Sequence, residues 1–94
     1  MREKEVEAYL VKRMKEIGGV AYKFTSPSRR GVPDRLCLFP NERMMFVELK
    51  APGSVTSKLQ DHEHRRIEFL GQRVDVIDSK EKVDRLIKES MTWQ

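Results

Sequence analysis

The stretch that decides the fold is residues 31–53, which reads GVPDRLCLFPNERMMFVELKAPG. Two mainly apolar runs, at 34–39 and 44–50, lie on either side of the tripeptide Pro-Asn-Glu, whose residues are common in turns. This arrangement predicts a β-hairpin with a three-residue connection. The second run nevertheless ends in an acid and a base, Glu48 and Lys50, where a buried strand would be expected to carry apolar residues.

The predicted register brings these charged residues together with a third. A three-residue connection places Asp34 opposite Glu48, and strand alternation puts Lys50 on the same face of the sheet. Facing carboxylates repel each other unless a positive charge lies between them. Mg²⁺ is suited to such a place, and the backbone carbonyl of Leu49 would be a further oxygen ligand. The alternative reading is a salt bridge between Lys50 and one carboxylate.

The remaining chain supplies further elements around this hairpin. Apolar periodicity predicts helices over 2–17, 57–70 and 80–90, and strands over 20–26 and 73–78. The order is therefore α-β-β-β-α-β-α, which predicts an α/β domain with a mixed central sheet flanked by helices.

Composition limits the classes of function. The 94 residues are expected to form one domain, and 19 basic against 15 acidic residues give a net charge of +4, which suits a polyanionic partner. The chain has one cysteine and lacks a long apolar run and a signal-peptide core, so we expect a cytoplasmic protein without membrane contact. It also lacks a Gly-rich phosphate loop, so no nucleotide cofactor is expected.

Three motifs resemble those of one nuclease family. GVPD at 31–34, FVELKAPG at 46–53 and SKLQ at 57–60 are similar to the VRR-NUC (virus-type replication-repair nuclease) branch of the PD-(D/E)xK nucleases. The resemblance covers almost the whole chain and implies a restriction-endonuclease-like core. By position, it implies that Asp34 and Glu48 are metal ligands and that Lys50 is the catalytic lysine.

Other residues around this core are candidates for contacts with substrate. Gln60 matches the family's glutamine at the start of the helix after the hairpin, and it is also a candidate for capping that helix together with a serine. His64 lies one turn later, where related nucleases often have tyrosine, and both side chains are expected to face the substrate. Arg29 and Arg30 are expected near phosphates, and Arg65 is either a phosphate contact or a solvated side chain.

The family also has a glutamate on its first helix. Glu3 matches that position best, and Glu7 is the other candidate. Glu3 also has an alternative, purely structural role, because an acid near the N-terminus of a helix is favoured by the helix dipole.

The sequence thus predicts a Mg²⁺- or Mn²⁺-dependent endodeoxyribonuclease. Stand-alone members of the family resemble junction resolvases, and two-fold symmetry supplies two matched cuts, so we expect a homodimer that cleaves four-way (Holliday) junctions. The alternatives are a flap or single-strand nuclease with the same active site, and a non-catalytic DNA-binding module of the same fold.

Overall fold

A computed structural model describes residues 1–93 and shows the predicted order of elements. Their bounds are α1 (Glu3–Glu16), β1 (Val20–Lys23), β2 (Arg35–Leu38), β3 (Met44–Leu49), α2 (Lys58–Phe69), β4 (Val74–Ile77) and α3 (Lys80–Ser90). Helix α3 has the predicted bounds, and the other elements are one to three residues shorter than predicted. The largest difference is in β1, whose pairing with β2 ends at the pair Lys23–Arg35.

The strands form one mixed sheet in the order β1-β2-β3-β4. β1, β2 and β3 are antiparallel neighbours, and β4 is parallel to β3 because α2 crosses over between them. The predicted α/β class is therefore confirmed.

The predicted hairpin register is also confirmed. The Phe39 N–H donates to the Arg43 carbonyl at 2.8 Å, and Arg35 pairs with Val47, which puts Asp34 opposite Glu48. The last residue of the connection, Glu42, has φ 61°, the left-handed conformation that closes a three-residue turn.

The hydrophobic core lies on one face of the sheet, beneath α1 and α3. Helix α1 contributes side chains four residues apart, so a single stripe of the helix is buried. The fully buried core side chains include Val6, Leu10, Met14, Cys37, Val47, Val83 and Ile87.

The opposite face of the sheet carries α2 and the charged end of the hairpin. The buried residues of α2 are Glu63 and His64, both polar, so this helix meets the sheet through ionisable groups. A second, polar interior therefore lies on the side of the sheet away from the core.

The C-terminal tryptophan packs against its own chain. The Trp93 ring lies edge-on to Phe39 at 4.9 Å between centroids, with the guanidinium groups of Arg43 and Arg73 over it at 5.5 and 5.7 Å. Across residues 1–93, no helix has the length and apolar character that crossing a membrane requires.

Candidate active site

Asp34 is fixed at the entrance to β2 by backbone contacts. The preceding Pro33 is fully buried and holds the chain extended. The Phe24 N–H donates to the Asp34 carbonyl at 2.8 Å, and the Leu49 N–H donates to Asp34 Oδ2 at 2.8 Å. The carboxylate is thus held directly against the end of β3.

Glu48 lies opposite, and three side chains approach its carboxylate. Glu48 is only 2% exposed. Gln60 Nε2 donates to Oε2 at 3.0 Å, and Lys50 Nζ lies 3.9 Å from the same oxygen. His64 Nε2 lies 3.7 Å from Oε1. The structure therefore brings together Asp34, Glu48, Lys50, Gln60 and His64.

Burial and the facing acid dominate the electrostatics. Burial, followed by the charge of Asp34 and a hydrogen bond with it, raises the pKa of Glu48 to about 8. Lys50 acts in the opposite direction, and the charge of Glu3 raises this pKa further. The two carboxylates are therefore costly to keep ionised together without a positive charge beside them, which is a place that suits a cation.

Gln60 caps α2 and also contacts Glu48. Its side-chain Oε1 accepts from the Ser57 N–H at 2.9 Å, and its own N–H donates to Ser57 Oγ at 3.1 Å, so the capping box is present. The remaining amide donors are free to reach Glu48 at 3.0 Å. The helix cap therefore also fixes the orientation of an active-site side chain.

His64 was expected to face the substrate as a DNA contact. The structure instead buries it to 6% exposure against Glu48. The reason is that α2 lies over the end of β3, so residues one turn after Gln60 point into the interface with the sheet.

The two candidate acids of α1 have separate environments. Glu7 Oε2 accepts from Arg35 Nε and Nη2 at 3.1 and 3.0 Å, so its charge is paired. Glu3 is exposed and close enough to Glu48 to raise its pKa. Glu7 is thus engaged by Arg35, while Glu3 keeps an exposed carboxylate at the start of α1.

Of the arginines named from the sequence, Arg30 and Arg65 are exposed. Arg29 Nη1 lies 3.4 Å from Glu63 Oε1, and Glu63 is buried to 5% exposure. Sequence reasoning missed Glu63, although its spacing three residues after Gln60 puts it on the same side of α2. This pair connects the loop before Asp34 to α2.

The residues fit a magnesium-type ion better than a closed metal cage. No cluster of three or more His, Cys, Asp or Glu side chains that would hold a metal is found among residues 1–93. Mg²⁺ usually takes one or two carboxylates, which Asp34 and Glu48 supply. The N–H and C=O of a strand residue point to the same edge, so the Leu49 carbonyl lies on the side of β3 where its N–H meets Asp34.

Gly31 provides a test of how the loop positions α2. It has φ +80°, and a Cβ there would lie 2.7 Å from the Leu59 carbonyl oxygen. We expect Gly31→Ala to lower the free energy of unfolding by about 2–4 kcal/mol, because strain and displacement of α2 add together. Gly53 has φ +82° with no atom within 4 Å of such a Cβ, so Gly53→Ala should show the conformational cost alone, about 1 kcal/mol.

Urea denaturation of Gly31→Ala and Gly53→Ala measures the difference between their free energies of unfolding. Equal losses of stability in the two variants would contradict close packing of the loop on α2.

Comparisons with known proteins identify the family of this fold. None of the protein-family profiles matches the chain. "Putative nuclease p44" of Acyrthosiphon pisum secondary endosymbiont phage 1 is 51% identical over 81 residues, which are 86% of this chain and 87% of that protein. A solved structure described as a VRR_NUC domain superposes with a TM-score of 0.85 at 33% identity, covering 92% of this chain and 94% of that chain. The chain belongs to the VRR-NUC family of nucleases.

Proposed function

We propose that this nuclease is a metal-dependent endonuclease that hydrolyses DNA phosphodiester bonds and acts as a homodimer on four-way junctions. The observation that carries the proposal is the pairing of Asp34 with Glu48 at one end of the hairpin, with Lys50 one pleat beyond. The family supports the nuclease activity, and the facing carboxylates support the metal.

Asp34, Glu48 and the Leu49 carbonyl would hold Mg²⁺ or Mn²⁺. The ion would supply an activated water as nucleophile and offset the charge that builds on the phosphorus. Asp34 is oriented for this by the Leu49 N–H, and Glu48 by Gln60. Each ligand thus has a partner that fixes its direction before substrate binds.

Lys50 and Glu3 would act on the reacting groups. Lys50 Nζ is 3.9 Å from Glu48 Oε2, and its side chain keeps 17% exposure, so its charge can reach a phosphate at the mouth of the site. There it would stabilise the transition state. Glu3, exposed at the start of α1, would accept a hydrogen bond from the attacking water.

DNA is the proposed partner, contacted from both sides of the site. Exposed Arg30 and Arg65, together with Arg29, supply positive charge on the loop before Asp34 and on α2. Affinity carried by such contacts should fall steeply as salt rises, because phosphate neutralisation releases counterions. We propose that the protein acts in the cytoplasm.

On the face of the sheet opposite the core, the part away from the charged end of the hairpin offers a surface for the second subunit. Strand alternation places Val20, Leu36, Leu38 and Phe46 there, and Met44 in the same set is 42% exposed. This set carries no charge, which matters because two chains of net charge +4 repel each other. We therefore propose a second copy of the chain as its occupant.

A single set of measurements tests the metal, the substrate and the dimer. We expect the protein to sediment as a dimer and, with Mg²⁺ or Mn²⁺, to cut a four-way junction at least ~10-fold faster than a flap, single strand or linear duplex at equal salt. Cutting should cease with EDTA. Faster cutting of a flap or single strand would assign that substrate instead, and binding without cleavage in any metal would refute the endonuclease.

Matched methionine variants test the surface. Met44→Glu should sediment as a monomer and lose paired cuts on the junction, because it buries a charge between subunits. Met91→Glu, the same change at a residue 68% exposed after α3, should remain dimeric. A dimeric Met44→Glu would contradict this interface.

A further inference from the structure

Two buried polar atoms face each other beside the proposed metal site. Glu48 Oε1 and His64 Nε2 are both buried, lie 3.7 Å apart, and neither has a hydrogen-bond partner among residues 1–93. Leaving a buried polar atom unpaired costs about 1–3 kcal/mol. Such an arrangement in a native fold calls for a functional explanation.

The other oxygen of the same carboxylate is already held. Gln60 donates to Glu48 Oε2 at 3.0 Å, and Gln60 is itself fixed by the capping box with Ser57. Gln60 and His64 are four residues apart, so they lie on one face of α2 in successive turns. Helix α2 therefore presents one side chain to each oxygen of Glu48.

The chemistry of a neutral imidazole decides what His64 can contribute. The His64 side chain keeps only 8% exposure, and an uncharged ring costs less to bury than a charged one. A neutral imidazole has one N–H donor and one acceptor nitrogen. When Glu48 is ionised, as metal binding requires, only the tautomer with hydrogen on Nε2 is attractive to Oε1, since the other would direct a lone pair at a carboxylate oxygen.

We propose that His64 is a positioning residue, which donates from Nε2 to Glu48 Oε1 and, with Gln60 on Oε2, fixes the carboxylate in the orientation that metal binding requires. The proposal rests on the proposed metal-dependent function. The two atoms must approach by about 0.7 Å to reach an ordinary hydrogen-bond length, which a small rotation of either side chain provides.

Metal affinity without DNA provides the main test. We expect His64→Phe, which keeps a ring but removes the donor, to weaken Mn²⁺ binding by about 10- to 100-fold in calorimetry. His64→Gln keeps an N–H donor and should bind Mn²⁺ within about 3-fold of the unaltered protein. His62→Phe is the matched control, because His62 is exposed two residues earlier on the same helix.

His64→Phe with Mn²⁺ affinity equal to that of His62→Phe would overturn the proposal. The tautomer gives a second readout that needs no variant. Long-range ¹H–¹⁵N spectra of the unaltered protein at pH 9, where Glu48 is ionised, should show the His64 hydrogen on Nε2 with and without Mg²⁺. A hydrogen on Nδ1 alone at that pH would also overturn the proposal. If the unaltered protein bound no Mn²⁺, the proposed function would fail, while the spectra would still decide the His64–Glu48 contact.

Discussion

Glu48→Gln is expected to lower DNA cleavage by a factor of about 10³ or more while DNA binding persists. The amide keeps the size of the side chain and can still meet Gln60, but it brings no negative charge to the proposed ion. Since Asp34 would then be the one carboxylate at this position, the ion would be held weakly and the attacking water would not be activated.

Single-turnover cleavage of a four-way junction, with binding measured separately in Ca²⁺ or EDTA, gives both quantities. Glu81→Gln is the matched control, because it is the same change at an exposed residue in the first turn of α3. Glu81→Gln should cut at the rate of the unaltered protein. Cleavage by Glu48→Gln within about 10-fold of that rate would show that Glu48 is not part of the chemistry.

The same substitution is expected to stabilise the metal-free protein at alkaline pH. Burial and Asp34 raise the pKa of Glu48 from 4.5 to about 8, so the folded state keeps a proton that the unfolded chain releases above pH 4.5. The free energy of unfolding therefore falls as pH rises from about 4.5 to 8, and above that range the contribution of the Glu48 proton is fully lost. Glutamine resembles the protonated acid and does not ionise, so Glu48→Gln lacks this loss.

The size of the stabilisation by Glu48→Gln follows from the shift in the pKa of Glu48. With about 1.4 kcal/mol for each pKa unit, and allowance for relaxation around Glu48, the variant should gain roughly 2–4 kcal/mol over the unaltered protein at pH 9. Little difference is expected at pH 4.5. Urea denaturation in EDTA at both pH values measures the difference in the free energy of unfolding. Glu81→Gln is the control for removing one exposed charge.

Metal should offset most or all of this difference in the free energy of unfolding between the unaltered protein and Glu48→Gln. Mn²⁺ at about 100 times its dissociation constant stabilises the protein that binds it by about 2.7 kcal/mol, and Glu48→Gln should not gain this stabilisation.

The metal-free pH dependence has its own contradicting outcome. If Glu48→Gln lost stability between pH 4.5 and 9 as steeply as the unaltered protein, Glu48 would not be the group responsible for that loss.

Local sequence rules were sufficient to predict the hairpin and its register. The connection between β2 and β3 has three residues, and its last, Glu42, takes the left-handed conformation that this turn requires. Once the turn is set, strand pairing places Asp34 opposite Glu48 with no further information. The capping box of α2 was predictable for the same reason, since Ser57 and Gln60 are three residues apart.

The contacts across α2 were not predictable in this way. The depth at which α2 meets the sheet depends on the loop after Lys50 and on packing against Gly31, neither of which has a periodic pattern. The burial of His64 and the pairing of Glu63 with Arg29 follow from that depth. The pairing of Glu7 with Arg35 was likewise not predictable from local patterns, because Arg35 comes from a distant part of the chain.

The most direct test of the central claim is the anomalous scattering of a crystal soaked in MnCl₂. We predict one strong peak between Asp34 and Glu48, at roughly 2.1 Å from an oxygen of each carboxylate and from the Leu49 carbonyl. The account would be contradicted by a protein that cleaves DNA in Mn²⁺ while its crystals show no peak there, or show the ion bound only elsewhere.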